Sequence, residues 1–497
     1  METKLSGHKR DKKKLTPPFL QIENISKSSW IDDRLPEMLW AVLAIVNFER
    51  EKALDFFRHV AKFVKDNPDC YDVTLMGISR FPKKKRKEFI LHLVSWSQDI
   101  KDTLRPMLLF PELPAITDWK GELNNPIEKE DWQELSEGVA KTFWHQSQEA
   151  TDCRWIKLFS QIFGGKMKFS QEMKDTLRGI FEYPNYGDMR KIRLSIRAME
   201  IAPNTNEKDL KGTWAKAFWE YCFDKTGCTP EHDVNKKIKK RQQELADECK
   251  QVRKHYFDET VELRNKLIDH ALKTAKTSSV DPRHEGAFGL ALYALTLFIE
   301  IIFYRAQLSI TGRLALRTLA ETQITFAYLL KKEKDEPRVW EDYRGYGTGQ
   351  TKLIYLKLQE LDEKPSSISL DELDYIANED AWIEFIPINL GHWDEVDLRK
   401  MSEQVGLKSL YDKLYNYTSG YMHANWGSVR ESIYQRCMNP LHRYHRIPTF
   451  DLPLLPSVTQ DAEEITNNIL DYLSQAYPEF KYRIKALDER KNNKEKK

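Results

Sequence analysis

Helical periodicity dominates this sequence, because apolar residues recur three or four positions apart along most of its 497 residues. The segment LPEMLWAVLAIVNFEREKALDFFRHVAKFVKD, residues 35–66, shows this spacing over two helical stretches. Such spacing places apolar side chains on one face of a helix, whereas a half-buried strand needs strict alternation. No alternating run is long enough to indicate a sheet. The sequence therefore predicts an all-α protein.

The length of the chain predicts at least two domains, since single hydrophobic cores rarely grow past roughly 250–300 residues. The first part contains short helical segments separated by proline- and glycine-rich turns, and a long polar stretch follows. We expect a basic flexible N-terminus, an N-terminal all-α domain of short helices, a long connecting helix, a C-terminal helical bundle and a charged tail. Their predicted bounds are 1–30, 31–232, 233–280, 281–480 and 481–497.

Charge and cysteine usage exclude several classes of protein. A formal net charge of +2 does not fit a polycation that coats nucleic acid. The six cysteines are scattered, with no CxxC pair and no second pair at zinc-ligand spacing, so we expect reduced thiols and no metal site. The stretch GYGTGQ, 345–350, is predicted to be a loop, but it lacks the Lys-Ser/Thr ending of a phosphate-binding loop. We expect no cofactor.

Cytoplasmic localisation is the expectation from the terminal and apolar segments. The opening METKLSGHKRDKKKL is polar and basic, without the apolar core of a signal peptide. Residues 287–304, AFGLALYALTLFIEIIFY, are just long enough to span a membrane, but Glu300 interrupts them. A helix buried on all sides of a helical domain explains this composition better. We therefore expect no membrane association.

Arg317 and Glu321 form the first candidate functional pair. They stand four residues apart in LRTLAET, which places guanidinium and carboxylate on one helical face. Their neighbours are apolar nearly all round, which favours a buried pair over a solvated surface pair. Because a buried ion pair is costly unless its remaining hydrogen bonds are made, we expect further polar side chains nearby.

The stretch YNYTSGYMHANWG, residues 415–427, supplies a second polar group. Tyr415, Ser419 and His423 follow at i, i+4 and i+8, which predicts a polar stripe along one helical face. Serine and histidine are the residues of a nucleophile and its base. A serine in mid-helix, however, lacks free backbone N–H groups to build an oxyanion hole. A polar cluster that meets Arg317 and Glu321 is therefore favoured over a hydrolase that uses Ser419.

These motifs resemble a widespread bacterial helical domain of unknown function. The resemblance covers roughly residues 285–435 and includes RTLAE, the Tyr/Arg pair of EDYRGY and LYDKLYNYTSGYMHAN. It implies an all-helical fold without a settled activity. Its signature polar residues would be Arg317, Glu321, Ser419 and His423, with Arg344 as a further candidate. The resemblance thus implies the position of a site but names no reaction.

A second motif is similar to that of the helical ribonucleases called HEPN domains. RNKLIDH, residues 264–270, has their Arg-x(4–6)-His pattern, with Asn265 as the polar residue after the arginine. The resemblance implies that Arg264 stabilises phosphate charge and that His270 supports proton transfer, across a dimer. On one continuous helix, however, this spacing separates the two side chains by about 240°.

Three functional interpretations are open. The first is a cytosolic nucleic-acid-directed, ribonuclease-like effector of a prokaryotic defence or toxin system, acting through His270 or the Arg317, Glu321, Ser419 and His423 cluster. The second is a non-catalytic helical interaction or sensor protein with a structural polar cluster. The third is a hydrolase that uses Ser419. The corresponding partners are RNA or another protein, including a second copy of the chain.

Overall fold

We describe the fold from a computed structural model. It describes residues 9–11, 14–16, 28–123, 126–167, 169–201, 213–277, 280–363, 365–378, 388, 393–394, 396–449 and 454–485. Most of the predicted N-terminus, 1–30, and the end of the predicted tail, 486–497, lie outside these residues. The prediction of an all-α protein is confirmed.

The chain divides into two compact units. The N-terminal unit comprises residues 1–234 and 436–446, and the C-terminal unit comprises 235–435 and 447–497. The polar helix expected as a connector, Lys236–Thr274, therefore belongs to the C-terminal unit. A short segment far along the chain, 436–446, is part of the N-terminal unit.

Short helices build the N-terminal unit, as the sequence predicts. A buried apolar helix, Leu39–Asn47, lies in its hydrophobic core, which includes Trp40 of that helix as well as Trp119 and Trp155. The other α-helices are Arg50–Asp66, Leu75–Arg80, Lys83–Val94, Ile100–Leu104, Ile116–Leu123, Glu130–Thr142, Gln148–Phe163, Lys174–Phe181, Met189–Met199, Thr213–Lys225 and Glu231–Val234. Two short antiparallel strands, Lys9–Asp11 and Lys14–Thr16, precede them.

A buried ionic network centres on Glu200 in this unit. The Glu200 carboxylate is fully buried and accepts from Lys157 Nζ at 2.7 Å, from Arg154 Nε at 3.0 Å and from Arg34. Burial alone would raise the pKa of Glu200, but Lys157, Arg34 and Arg154 outweigh it and lower this pKa to about 2. One buried carboxylate is therefore the shared ion-pair partner of three largely buried cations.

Glu200→Gln should destabilise the N-terminal unit strongly, by about 3–5 kcal/mol, because it leaves buried cations without their counter-charge. At about 2–4 °C per kcal/mol, the melting temperature should fall by about 10 °C. Tryptophan fluorescence at neutral pH would measure this, with Glu182→Gln in the exposed Arg178–Glu182 pair as the matched control.

The same network sets a pH dependence. Because the folded pKa of Glu200 lies below its ordinary value of 4.5, its stabilisation is complete above about pH 4.5 and is lost as the pH falls towards 2. The stability difference between wild type and Glu200→Gln should shrink over that range. Equal melting temperatures of Glu200→Gln and the Glu182→Gln control at neutral pH would show that the network contributes nothing to stability.

Long helices form the C-terminal unit. The helix Pro282–Phe303 packs against the polar helix Lys236–Thr274 and against Thr459–Ala476. The remaining α-helices are Ile310–Lys332, Val339–Gln359, Leu370–Ala377, Leu398–Gln404, Lys408–Leu410, Asn416–Met422 and Trp426–Ile433. Two short strands, Tyr434–Arg436 and Arg446–Pro448, pair at the boundaries of the segment 436–446.

The expectation that the apolar helix Pro282–Phe303 is buried on all sides is wrong. Within the described residues it alone is long and apolar enough to cross a membrane, by length and composition. It is not buried on all sides, because Gly289, Tyr293 and Glu300 share an exposed face while Leu295 and Phe298 pack in the core. Half of its apolar window is buried within the protein.

The stretch GYGTGQ corrects another expectation, since it is helical rather than a loop. Residues 345–350 lie inside the helix Val339–Gln359. Intrinsic propensity disfavours three glycines in a helix, but tertiary packing overrides propensity. Trp340 anchors the start of this helix, because its side chain is buried and its Nε1 donates a hydrogen bond to Glu333 at 2.6 Å.

Candidate functional site

The site is built on the helix Ile310–Lys332, which we call the arginine helix. Ser309 caps its N-terminus by accepting from the backbone N–H of Gly312. Arg313 and Arg317 lie one turn apart on this helix, so both side chains project from one face. Leu316 and Leu319 of the same helix are buried in the core and anchor it.

The opposing element is the short helix Asn416–Met422, which we call the serine helix. A π-helical turn, Tyr411–Tyr415, leads into it, and such turns are frequent at functional sites. The rings of Tyr411 and Tyr415 stack with centroids 4.9 Å apart. This turn presents Tyr415 to the arginine helix.

All three guanidinium nitrogens of Arg317 have a partner, and two of them, Nε and Nη2, reach across to the serine helix and the turn before it. Nη2 donates to the Tyr415 hydroxyl at 2.6 Å, Nε donates to Ser419 Oγ at 3.3 Å, and Nη1 pairs with Glu321 at 3.2 Å. The guanidinium also lies over the Tyr415 ring, with Cζ 4.6 Å from its centroid. We call these four residues the arginine cluster.

The arginine cluster is less buried than the sequence suggested. The Arg317 side chain is 18% exposed and that of Glu321 is 42% exposed, so the expectation of a buried ion pair is wrong. A carboxylate this exposed remains solvated, and its pairing contributes little. The further polar partners that we expected are nevertheless present, namely Tyr415 and Ser419.

Electrostatics at Tyr415 follow from this arrangement. Burial raises the pKa of the Tyr415 hydroxyl, the Glu321 carboxylate raises it further, and Arg317 opposes both effects. The phenol is therefore protonated at neutral pH. The Tyr415 hydroxyl accepts a hydrogen bond from Arg317 and does not act as a base.

Ser419 is not prepared for nucleophilic attack. Its hydroxyl donates to the Tyr415 carbonyl oxygen of its own helix at 2.7 Å, while its oxygen accepts from Arg317. A serine nucleophile needs an adjacent base within hydrogen-bond reach. No histidine or carboxylate takes the Ser419 proton in the part of the chain that the structure describes.

His423 does not join the cluster, and the predicted polar stripe ends before it. The serine helix stops at Met422, and Ala424 adopts a left-handed conformation with φ of 47°. The Asn425 N–H donates back to the Gly420 carbonyl at 2.9 Å, which closes the helix end. His423 is exposed.

A second arginine supports the serine helix. Arg313 is buried, donates to the carbonyl oxygens of Gln307 and Pro456, and lies 5.9 Å from the Tyr421 ring centroid. The Tyr421 hydroxyl donates to Glu431 at 2.8 Å. Arg313 was not among the predicted site residues, although its position one turn before Arg317 was a usable signal.

Arg264 and His270 are not brought together. Both lie on the helix Lys236–Thr274, but Arg264 is exposed whereas His270 packs between Phe288 and Phe480, with ring centroids 5.8 and 5.5 Å away. This agrees with the angular separation that their spacing implies. Arg344 donates to Glu285, which is not one of the cluster's residues, at 3.1 Å.

One group of side chains among the described residues could hold a metal ion. It consists of Cys228, Cys437, His442 and His445, all in the N-terminal unit. No local spacing in the sequence predicts this group, because Cys228 and His442 are 214 residues apart.

The comparisons with known proteins show that the cluster lies in a region that matches one family model. Residues 284–436 match the family of unknown function DUF5677. The resemblance to a helical domain of unknown function is thereby confirmed, and Arg317, Glu321, Ser419 and His423 all lie inside the DUF5677 region. No curated protein and no solved structure matches the chain. The resemblance of residues 264–270 to helical ribonucleases finds no support in these comparisons.

Arg317→Ala should destabilise the C-terminal unit by about 2–3 kcal/mol, because it removes charged hydrogen bonds and leaves the Tyr415 hydroxyl without its donor. Glu321→Gln should cost less than about 1 kcal/mol, since that carboxylate is largely solvated. Denaturant unfolding followed by circular dichroism measures both. Arg399→Ala, in the exposed pair with Glu403, is the matched control.

Unfolding of Arg317→Ala at the same denaturant concentration as the Arg399→Ala control would contradict this assignment. A loss in Glu321→Gln as large as that in Arg317→Ala would instead restore the expectation of a tightly coupled ion pair.

Proposed function

We propose that the C-terminal unit is a non-catalytic helical interaction module, in which the arginine cluster fixes the serine helix on the arginine helix. The observation that supports this most is the full engagement of Arg317. Its Nε, Nη1 and Nη2 are all bound within the cluster. A guanidinium has five N–H groups, so these three contacts leave fewer of them for a phosphate or an oxyanion and hold the planar group in one orientation.

The protonation states of the cluster also favour a structural role. General acid–base catalysis needs a group that exchanges protons near neutral pH. Burial raises the pKa of Tyr415, and Ser419 donates to a backbone carbonyl. His423 is exposed at the end of the serine helix and is not among the residues that Arg317 contacts.

The surface beside the cluster suits a protein partner. Tyr417, Met422 and Trp426 are 48%, 47% and 62% exposed, and they follow one another in and just after the serine helix. Tyrosine, tryptophan and methionine are enriched at protein interfaces. Fixing the serine helix thus also fixes the positions of Tyr417 and Met422 on it, and Trp426 begins the helix that follows.

A second copy of the chain is the simplest partner to test. The formal net charge of +2 gives little electrostatic repulsion between copies. We expect concentration-dependent dimerisation by size-exclusion chromatography with light scattering, weakened by Trp426→Ser but not by Trp144→Ser, an exposed tryptophan of the N-terminal unit. A monomer at every concentration would exclude self-association and leave a different protein as the partner.

The ribonuclease-like effector, in a defence or toxin system, is the second candidate, and one observation favours it. His270 Nε2 is buried with no hydrogen-bond partner among the described residues. Such an atom calls for an explanation, and a function is one of them. Against it, Arg264 and His270 face different environments, and the aromatic rings of Phe288 and Phe480 enclose the imidazole.

Total-RNA integrity after induced expression separates the two candidates. We expect intact RNA in cells that produce wild type, His270→Ala and His423→Ala at equal soluble levels, because no acid–base pair is assembled. Cells that express a known ribonuclease serve as the positive control. RNA fragmented by wild type but spared by either variant would overturn the non-catalytic proposal and identify the histidine responsible.

A further inference from the structure

Two cysteines and two histidines converge in the N-terminal unit, and all four lie outside the DUF5677 region, residues 284–436. The ligating atoms of Cys228, Cys437, His442 and His445 all lie within 4.8 Å of one another. Cys228 Sγ is 3.4 Å from His442 Nδ1 and 3.3 Å from His445 Nε2. Cys437 Sγ is 3.8 Å from His442 Nδ1.

Backbone hydrogen bonds bring the two stretches of chain together. The segment 436–446 lies along the loop that carries Cys228, and the N–H of Met438 donates to the Thr229 carbonyl at 2.7 Å. Within the segment, the N–H of Cys437 donates to the His445 carbonyl at 2.8 Å. The segment thus forms a closed turn that points three ligands at the fourth.

The turn is anchored in the unit beyond these hydrogen bonds. Leu441 is 2% exposed in the hydrophobic core, and the Tyr444 ring lies 4.5 Å from that of Phe143. Arg443 pairs with Asp32 at 2.6 Å. The ligands therefore rest on a supported backbone, which a pre-organised site requires.

Hydrogen bonding at His442 fixes which ring nitrogen can bind a metal. His442 is buried, and its Nε2 lies 3.1 Å from the Thr226 carbonyl oxygen. A carbonyl oxygen only accepts, so Nε2 carries the proton and Nδ1 directs a lone pair at the two sulfurs. Metal-binding histidines typically donate their other N–H to a carbonyl or carboxylate in this way.

The spacing of the ligands matches tetrahedral zinc. Zn–S bonds of about 2.3 Å and Zn–N bonds of about 2.0 Å at tetrahedral angles place sulfur and nitrogen about 3.5 Å apart. The three observed separations, 3.3, 3.4 and 3.8 Å, bracket that value. Two thiolates and two imidazoles also form a ligand set that zinc prefers.

We propose that Cys228, Cys437, His442 and His445 bind a structural zinc ion. Both thiols lose their protons on binding, so two thiolates neutralise the charge of Zn²⁺. Four protein ligands close the coordination sphere and leave no position for substrate, which distinguishes a structural from a catalytic zinc. The ion ties the 436–446 turn to the rest of the N-terminal unit and stabilises a contact between distant parts of the sequence.

Metal analysis of the full-length chain tests the proposal. Protein is purified under reducing conditions from zinc-supplemented culture, freed of loosely bound metal, and assayed for zinc, iron and copper by mass spectrometry. We expect about one zinc per chain in wild type and little in Cys228→Ser or His445→Ala. The matched controls, Cys249→Ser and His232→Ala, should retain zinc.

A second readout uses wild type alone, in case a variant folds poorly. Stripping the metal with a chelator should lower the melting temperature, and adding Co²⁺ should give the visible absorption of a tetrahedral thiolate site. Absence of stoichiometric zinc, a Cys228–Cys437 disulfide in the reduced preparation, or equal zinc in the ligand variants would overturn the proposal. Iron or copper lost in those variants would overturn the assignment to zinc.

Discussion

One guanidinium group, that of Arg317, links the arginine helix to the serine helix. Its partners do not contribute equally. A charged hydrogen bond to a partly buried hydroxyl contributes about 1.5–3 kcal/mol, whereas an exposed ion pair contributes about 0–1 kcal/mol. Tyr415, which also offers its ring face, therefore outweighs Glu321, although Glu321 is the partner that charge alone would suggest.

The charged clusters of the two units differ in their exposure to solvent, and this difference bears on function. In the N-terminal unit, the Glu200 carboxylate is fully buried and pairs with three cations, and this network stabilises the fold. The arginine cluster is partly exposed, and the exposed Trp426 follows the serine helix in the chain. A cluster at the surface can orient an interface, and this is the role that we propose for the DUF5677 region.

Sequence periodicity was sufficient to predict the helical class, and the i, i+4 spacing was sufficient to predict the Arg317–Glu321 pair. The polar partners on the serine helix were also foreseeable from the positions of Tyr415 and Ser419. The exclusion of His423 from the cluster was not foreseeable from the sequence. The serine helix ends through a left-handed Ala424, and alanine is not a residue that normally signals such an ending.

Two other features were beyond sequence reasoning for different physical reasons. The glycines of 345–350 indicated a loop, but tertiary packing placed them in a helix. The Cys/His group depends on a contact between residues 214 positions apart, so no local spacing reveals it. Its three later members, at 437, 442 and 445, are close in sequence, but a zinc site needs a fourth ligand that only the fold supplies.

Hydrogen exchange of the full-length protein tests the central claim most directly, by comparing wild type with Arg317→Lys. Lysine keeps the charge but lacks the forked geometry that joins Tyr415 to Ser419. The account predicts faster exchange in residues 411–422 of the variant, while the helices Pro282–Phe303 and Thr459–Ala476 remain protected. Unchanged protection of 411–422 would show that Arg317 does not hold the serine helix.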